Sequence, residues 1–153
     1  AGFTLVDPGS GAGLAGAMSE AYNKGNGYLG YYWGPTALLG QMDMVQVDMG
    51  PHDAAEWERC IGSTPDCPDP KGMGYPSSDV EIYVSAKIMS NATVMEYLGK
   101  RGMTSGDISS ILAAADADQL SPAEAAEYIL KERGDLWESM VSADAAKKIK
   151  ASL

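Results

Sequence analysis

The sequence is short of several things, and each shortage excludes a class of protein. It has one histidine, one phenylalanine and two cysteines in 153 residues. With His52 alone and only Cys60 and Cys67 beside it, a four-ligand zinc site cannot be assembled from nitrogen and sulfur donors. The cysteines are not spaced as C-x-x-C, which removes the usual redox motif. Basic residues are scarce, 11 against 21 acidic, for a net charge of −10. The acidity is even along the chain, with no basic face for nucleic acid and none for anionic lipid. No apolar run approaches the ~18 residues that span a bilayer. No serine lies in G-x-S-x-G, and the lone histidine has only ordinary acids, Asp53 and Glu56, as neighbours. No catalytic constellation is visible, and the chain reads as a non-enzyme with no cofactor.

What is present is a normal globular composition, 45% apolar and 21% charged. The first fifty residues hold 11 of the 18 glycines. Phe3–Val6 reads as a strand stopped by Asp7-Pro8-Gly9. Residues 12–24 have helical spacing, with Leu14, Met18 and Tyr22 on one stripe. Tyr28–Trp33 reads as a second strand, Thr36–Gly40 as a short helix and Met44–Val47 as a third strand. That alternation predicts an α/β fold with a mostly parallel sheet flanked by helices. Residues 50–78, rich in proline, read as a long loop with a short helix at Ala54–Arg59. Asp79–Ser85 alternates Val80, Ile82 and Val84 against Glu81 and Tyr83, a strand pattern. The rest is helical: Asn91 to Lys100, Thr104 to Asp118, Ser121 to Arg133, Asp135 to Val141, and Ala143 to Ser152. Ser121-Pro122-Ala123-Glu124 is the strongest start signal, a cap, a first-position proline and a capping-box glutamate together. Gly134 is the expected terminator of that helix.

Three features carry chemistry. Gly11-x-Gly13-x-x-Gly16 has the form of a dinucleotide fingerprint. The ribose-binding acid that should follow about twenty residues later is missing, so a nucleotide-binding enzyme is the weaker reading, and a close-packed helix start the better one. Tyr28, Tyr31, Tyr32 and Trp33 gather four of the twelve aromatic residues. In a strand, Tyr31 and Trp33 share one face while Tyr28 and Tyr32 share the other. An indole at a strand's end suits a cation without hydrogen-bond donors, such as a quaternary ammonium. Cys60 and Cys67 sit in a loop, where a disulfide in an oxidising compartment is the favoured reading over two unrelated thiols.

Beyond these residues, the segment LVDPGSGAGLAGAMSEAYNKGNGYLGYYWGPTALLGQMDMVQVD resembles the glycine betaine/proline betaine (OpuAC-like) substrate-binding proteins of ABC importers. The likeness continues through WERCIGSTPDCPDPKG, YPSSDVEIYVSAKI and VMEYLGKRG to AAEYILKERGDLWESMVSADAAKKIKASL. It implies a periplasmic-binding-protein-like (type II) fold. Residues 1–49 would be a β-α-β segment of the second lobe and 50–78 a crossover loop. Residues 79–153 would return to the first lobe as a strand and then helices. It also implies a small-molecule ligand held in an aromatic cage: glycine betaine, proline betaine, choline or carnitine, the osmoprotectant solutes. An ABC permease is the implied partner, in a periplasmic or other extracytoplasmic setting, with the export leader absent from this chain.

Trp33 falls on the tryptophan of the family's W-x-P motif, a cage wall. Tyr31 and Tyr32 are further contacts, and Thr36, Ser10 and Asp7 line the site. Many family members carry a histidine after the proline, on the ligand carboxylate. Here Thr36 stands in its place, able to donate one hydrogen bond but uncharged, which tilts the expectation from glycine betaine toward choline. The family's members run about twice this length, and the resemblance is to their C-terminal half. The expected complement is the missing N-terminal half or a second copy of the chain. An alternative reading is a ligand-free, self-associating module. Trp137 is expected in the core.

Overall fold

The structure, a computed structural model, describes residues 5–62 and 66–153. Its elements are α1 (Gly11–Asn23), α2 (Ala37–Gln41), α3 (Ala54–Glu56) with a π-helical turn (Trp57–Ile61), α4 (Ala86–Met89) and α5 (Ala92–Lys100). Then come α6 (Ser105–Ala117), α7 (Pro122–Glu132), α8 (Gly134–Trp137) with a 3-10 turn (Glu138–Met140), and α9 (Ala143–Ser152).

The helix starts follow local chemistry. Ser10, Thr36, Asn91 and Ser142 each accept a backbone N–H of the first turn. Thr104 with Asp107, and Ser121 with Glu124, close reciprocal capping boxes. Pro122 takes the first turn of α7, as its spacing predicts. α7 ends at Glu132 with Arg133 as its cap, close to the expected end, and Gly134 then opens α8.

The expected α/β fold with a mostly parallel sheet is overturned. Among the described residues there is no strand; every regular element is helical. Phe3 and Thr4 of the first expected strand lie outside the described residues. Residues 45–47 and 79–84 make no backbone–backbone hydrogen bond with other described residues. The reason is physical. A helix satisfies its own N–H and C=O groups, whereas a strand depends on a neighbour for every one. Alternating sequence selects an extended backbone but supplies no partner for it. The apolar side chains of these segments remain in solvent, Val45 at 86% and Val80 at 98% exposure.

By contact the chain divides into two units: one of residues up to Met44 together with those from Ser85 on, the other Val45–Val84. In the first, α2 packs against α6. The Thr36 N–H donates to Ser109 Oγ at 3.2 Å, and Gln41 Nε2 donates to Asp116 at 2.8 Å. Gly40 sits on the α6 backbone so closely that a Cβ there would lie 2.3 Å from Ser109 O and 2.9 Å from Ala113 Cβ. Met18, Ile111, Trp137 and Met140 are this unit's buried apolar side chains. Gly40→Ala is therefore expected to wedge α2 off α6 and to lower stability by about 1–3 kcal/mol. Gly16→Ala, with nothing within 4 Å of the new methyl, is expected to be neutral or stabilising by up to about 1 kcal/mol. Urea unfolding of the two variants side by side checks the contrast.

The second unit contains α3 and the π-helical turn. Glu56 and Cys60 are its buried residues. Trp57 meets His52 and Tyr75 edge-on, at centroid distances of 5.6 and 5.3 Å.

Candidate ligand-binding site

Asp7 Oδ1 accepts the Gly9 N–H at 2.8 Å, and Gly9 adopts φ +73°, a conformation glycine takes without strain. This turn delivers Ser10 to the start of α1, where its Oγ accepts the Gly13 N–H at 3.0 Å. Gly13 is required there, since a Cβ would sit 2.4 Å from Pro8 O. The glycine-rich stretch thus makes a close-packed helix start.

Trp33 lies over that start. A Cβ on Gly11 would be 3.1 Å from Trp33 Cη2, so the indole's outer edge rests against the first residue of α1. Tyr32 stacks on the indole with centroids 4.7 Å apart and planes 28° apart. Tyr31 lies 6.1 Å away, tilted by 35°. The expected division of faces does not hold, because the backbone here is not a strand: Tyr32 turns onto Trp33 instead of away from it. Tyr28 folds back over Gly30, its hydroxyl 2.6 Å from where a Gly30 Cβ would stand. Trp33 is 46% exposed, half covered by its neighbours and half open.

The structure therefore gathers Tyr31, Tyr32 and Trp33 at the Ser10-capped end of α1. Thr36 has a different task. Beyond the cis Gly34–Pro35 bond, it caps α2 by accepting the Leu39 N–H at 3.3 Å and anchors α2 to Ser109.

In the other unit, Cys60 and Cys67 have sulfurs at bonding distance and Cα atoms 5.2 Å apart, within the span a disulfide bridges. Around them lies a network that the sequence reading missed. Arg59 grips the buried Glu56 with two hydrogen bonds, at 2.8 and 2.7 Å. It also reaches Asp69 Oδ1 at 3.1 Å and Asp69 O at 3.2 Å, while Glu56 accepts the Lys71 N–H at 3.2 Å. The available signal was the i, i+3 spacing of Glu56 and Arg59. Cys60, Cys67 and Asp69 bring three donor atoms within 4.8 Å, but the sulfurs face each other and Arg59 already occupies Asp69.

The Arg59 hydrogen bonds hold the Glu56 carboxyl below its ordinary range, against the opposing effect of its burial. Capping bonds from Thr104 and Ser121 lower Asp107 and Glu124 likewise. A carboxylate whose folded pKa is depressed contributes stability above its unfolded pKa and loses it as pH falls through the folded value. Thermal stability should stay level from pH 7 to about pH 5 and decline below about pH 4. In Glu56→Gln the residual acid dependence should be shallower. Melting curves across that range, with no shallowing in the variant, would remove Glu56 from the account.

Comparison with known proteins adds the remaining fact. Residues 1–132 match the OpuAC family, described as the substrate binding domain of ABC-type glycine betaine transport systems. The chain belongs to the OpuAC family. It is thus a substrate-binding component of a glycine betaine-type ABC transporter, in a family of binding domains and not of enzymes. Of the three spaced glycines, Gly11 and Gly13 make close contacts, with Trp33 and Pro8, and Gly16 makes none. A comparison with curated proteins gives no match. No helix among the described residues is long and apolar enough to cross a membrane.

Proposed function

We propose that this OpuAC-family chain supplies one wall of a site for a quaternary ammonium solute, of the glycine betaine, proline betaine, choline or carnitine type. The observation that carries the reading is the half-open Trp33 indole, backed by Tyr32 and set against the first turn of α1. An indole face attracts a cation that offers no hydrogen bonds. The first-turn N–H groups of a helix attract a carboxylate. A zwitterion such as glycine betaine meets both, and choline meets only the first. That supplies a carboxylate partner which Thr36, committed to capping α2, does not.

A single wall is insufficient, since each aromatic contact contributes only about 0.5–2 kcal/mol. The rest of the cage comes from the remainder of such a domain or from a second copy of this chain. The loaded protein passes its solute to an ABC permease in an extracytoplasmic compartment, where a Cys60–Cys67 disulfide is stable.

Calorimetric titration with glycine betaine, choline and carnitine tests the reading. Saturable heat with glycine betaine exceeding that with choline is expected. Choline binding more tightly would remove the α1 carboxylate contact, and silence with all three would overturn the cage.

A further inference from the structure

The chain has three asparagines, Asn23, Asn26 and Asn91, and of these Asn26 alone precedes a glycine. Asn26 belongs to the turn that ends α1. Gly25 takes φ +67°, the left-handed conformation that suits glycine. Its N–H donates to Tyr22 O at 3.0 Å, and the Asn26 N–H donates to Ala21 O at 2.9 Å. Together these bonds are the paired closure of a helix end on a left-handed glycine. Asn26 is the last residue that the closure holds.

Past it the constraints stop. Asn26 and Gly27 are both exposed. Among the described residues the Asn26 side chain makes no hydrogen bond, and the Gly27 N–H donates to nothing. No atom stands within 4 Å of where a Gly27 Cβ would be, and glycine has no side chain to shield its own nitrogen. The other two asparagines differ on each point. Lys24 follows Asn23, and its N–H is committed to Glu20 O at 3.1 Å. Asn91 holds the Val94 N–H on its Oδ1 at 3.2 Å as the cap of α5, and Ala92 follows it.

We infer that Asn26 is a site of spontaneous deamidation, in which the Gly27 backbone nitrogen closes on the Asn26 side chain. The Gly27 nitrogen gives up its proton to base, attacks Asn26 Cγ and closes a succinimide ring. The Cγ–Nδ2 bond breaks, and Nδ2 takes up a proton and leaves as ammonia. Water then opens the ring. Attack at Cγ breaks its new bond to the Gly27 nitrogen and gives aspartate. Attack at the Asn26 main-chain carbonyl breaks the original peptide bond and gives isoaspartate, with the chain running through Cβ and Cγ. Either way one water is consumed and one ammonia released, so neither an oxidant nor an enzyme is needed.

The products alter the molecule at a defined place. Each adds a carboxylate at the negative end of the α1 dipole, an unfavourable position. Lys24, the neighbouring cation, already pairs with Glu20. Isoaspartate also lengthens the main chain by one carbon between α1 and the segment that carries Tyr28 to Trp33. The inference does not rest on the proposed function.

Ageing the whole chain at neutral and at mildly alkaline pH, followed by peptide mass spectrometry, tests it. Asn26 should convert ahead of Asn23 and Asn91, and faster at the higher pH. It should give two separable products of equal mass, with isoaspartate the more abundant. Conversion of Asn23 or Asn91 ahead of Asn26 overturns the inference. Gly27→Ala spares the fold, because its methyl meets nothing, and should slow the conversion about tenfold or more. An unchanged rate in that variant means that the Gly27 nitrogen is not the nucleophile. The native chain should convert within about tenfold of the rate in urea, where no turn is present. A native rate far below that would show that the end of α1 protects Asn26, which overturns the inference for the folded protein.

Discussion

Trp137→Ala should lower the unfolding free energy by about 3–5 kcal/mol, the largest loss expected of any single substitution in this chain. Trp137 is 6% exposed and is the bulkiest of the few buried apolar side chains. It closes α8, a helix of four residues that cannot be stable by itself. Its Nε1–H donates to Leu130 O near the end of α7 at 3.2 Å, so one side chain ties two consecutive helices. Truncation removes the packed area, leaves a cavity and strips a partner from the Leu130 carbonyl. Domains of this size are stable by about 5–15 kcal/mol in total. A chain with so little buried core has the less to lose, and the variant should unfold at markedly lower urea. Trp137→Phe, which keeps most of the ring but not the hydrogen bond, should fall between. If helical circular dichroism in urea shows Trp137→Ala within about 0.5 kcal/mol of the parent chain, Trp137 is not a core residue.

The helices were legible in the sequence and the sheet was not, and the difference is locality. Ser121, Pro122 and Glu124 specify the start of α7 within four residues, and the structure makes each of the bonds they imply. Met18, on the stripe read for α1, is buried, while Tyr22 on the same stripe stays exposed. Residues 79–84 carry an equally clear strand pattern, and the Tyr83–Glu81 contact expresses it. Pattern alone cannot provide the neighbouring backbone that makes a ladder.

The site divides along the same line. Trp33 stood out by composition and neighbourhood. Its contact with Gly11 joins residues 22 apart in sequence, and Gly40 against Ser109 joins residues 69 apart, so neither left a local trace. The stacking of Tyr32 on Trp33 was hidden by the strand assumption, which sent the two rings to opposite faces. Arg59 with Asp69 was hidden because a loop separates them, and only Glu56 lies at helical spacing from the guanidinium.

Trp33→Ala should weaken glycine betaine binding roughly 30-fold or more while leaving the fold nearly intact. The argument rests on where the indole stands. At 46% exposure about half of the indole stands open, and its ring contacts are with Tyr32, Tyr31 and the start of α1. Removing it takes away the cation's aromatic face, about 0.5–2 kcal/mol, and the apolar contact with the ligand's methyl groups in addition. Two kcal/mol corresponds to about a 30-fold change in affinity.

Trp33→Phe keeps a smaller face and should retain part of the binding. Gly11→Ala offers an independent lever, because its methyl would press on Trp33 Cη2 from 3.1 Å and shift the ring without deleting it. A loss of affinity in Gly11→Ala that disappears when Trp33 is already alanine would show both acting through the same indole. Trp137→Ala, titrated at a temperature where it remains folded, should bind nearly as the parent chain does. Equal losses in Trp33→Ala and Trp137→Ala would mean that the heat reports folding and not a cage, and the aromatic group at α1 would then be packing alone.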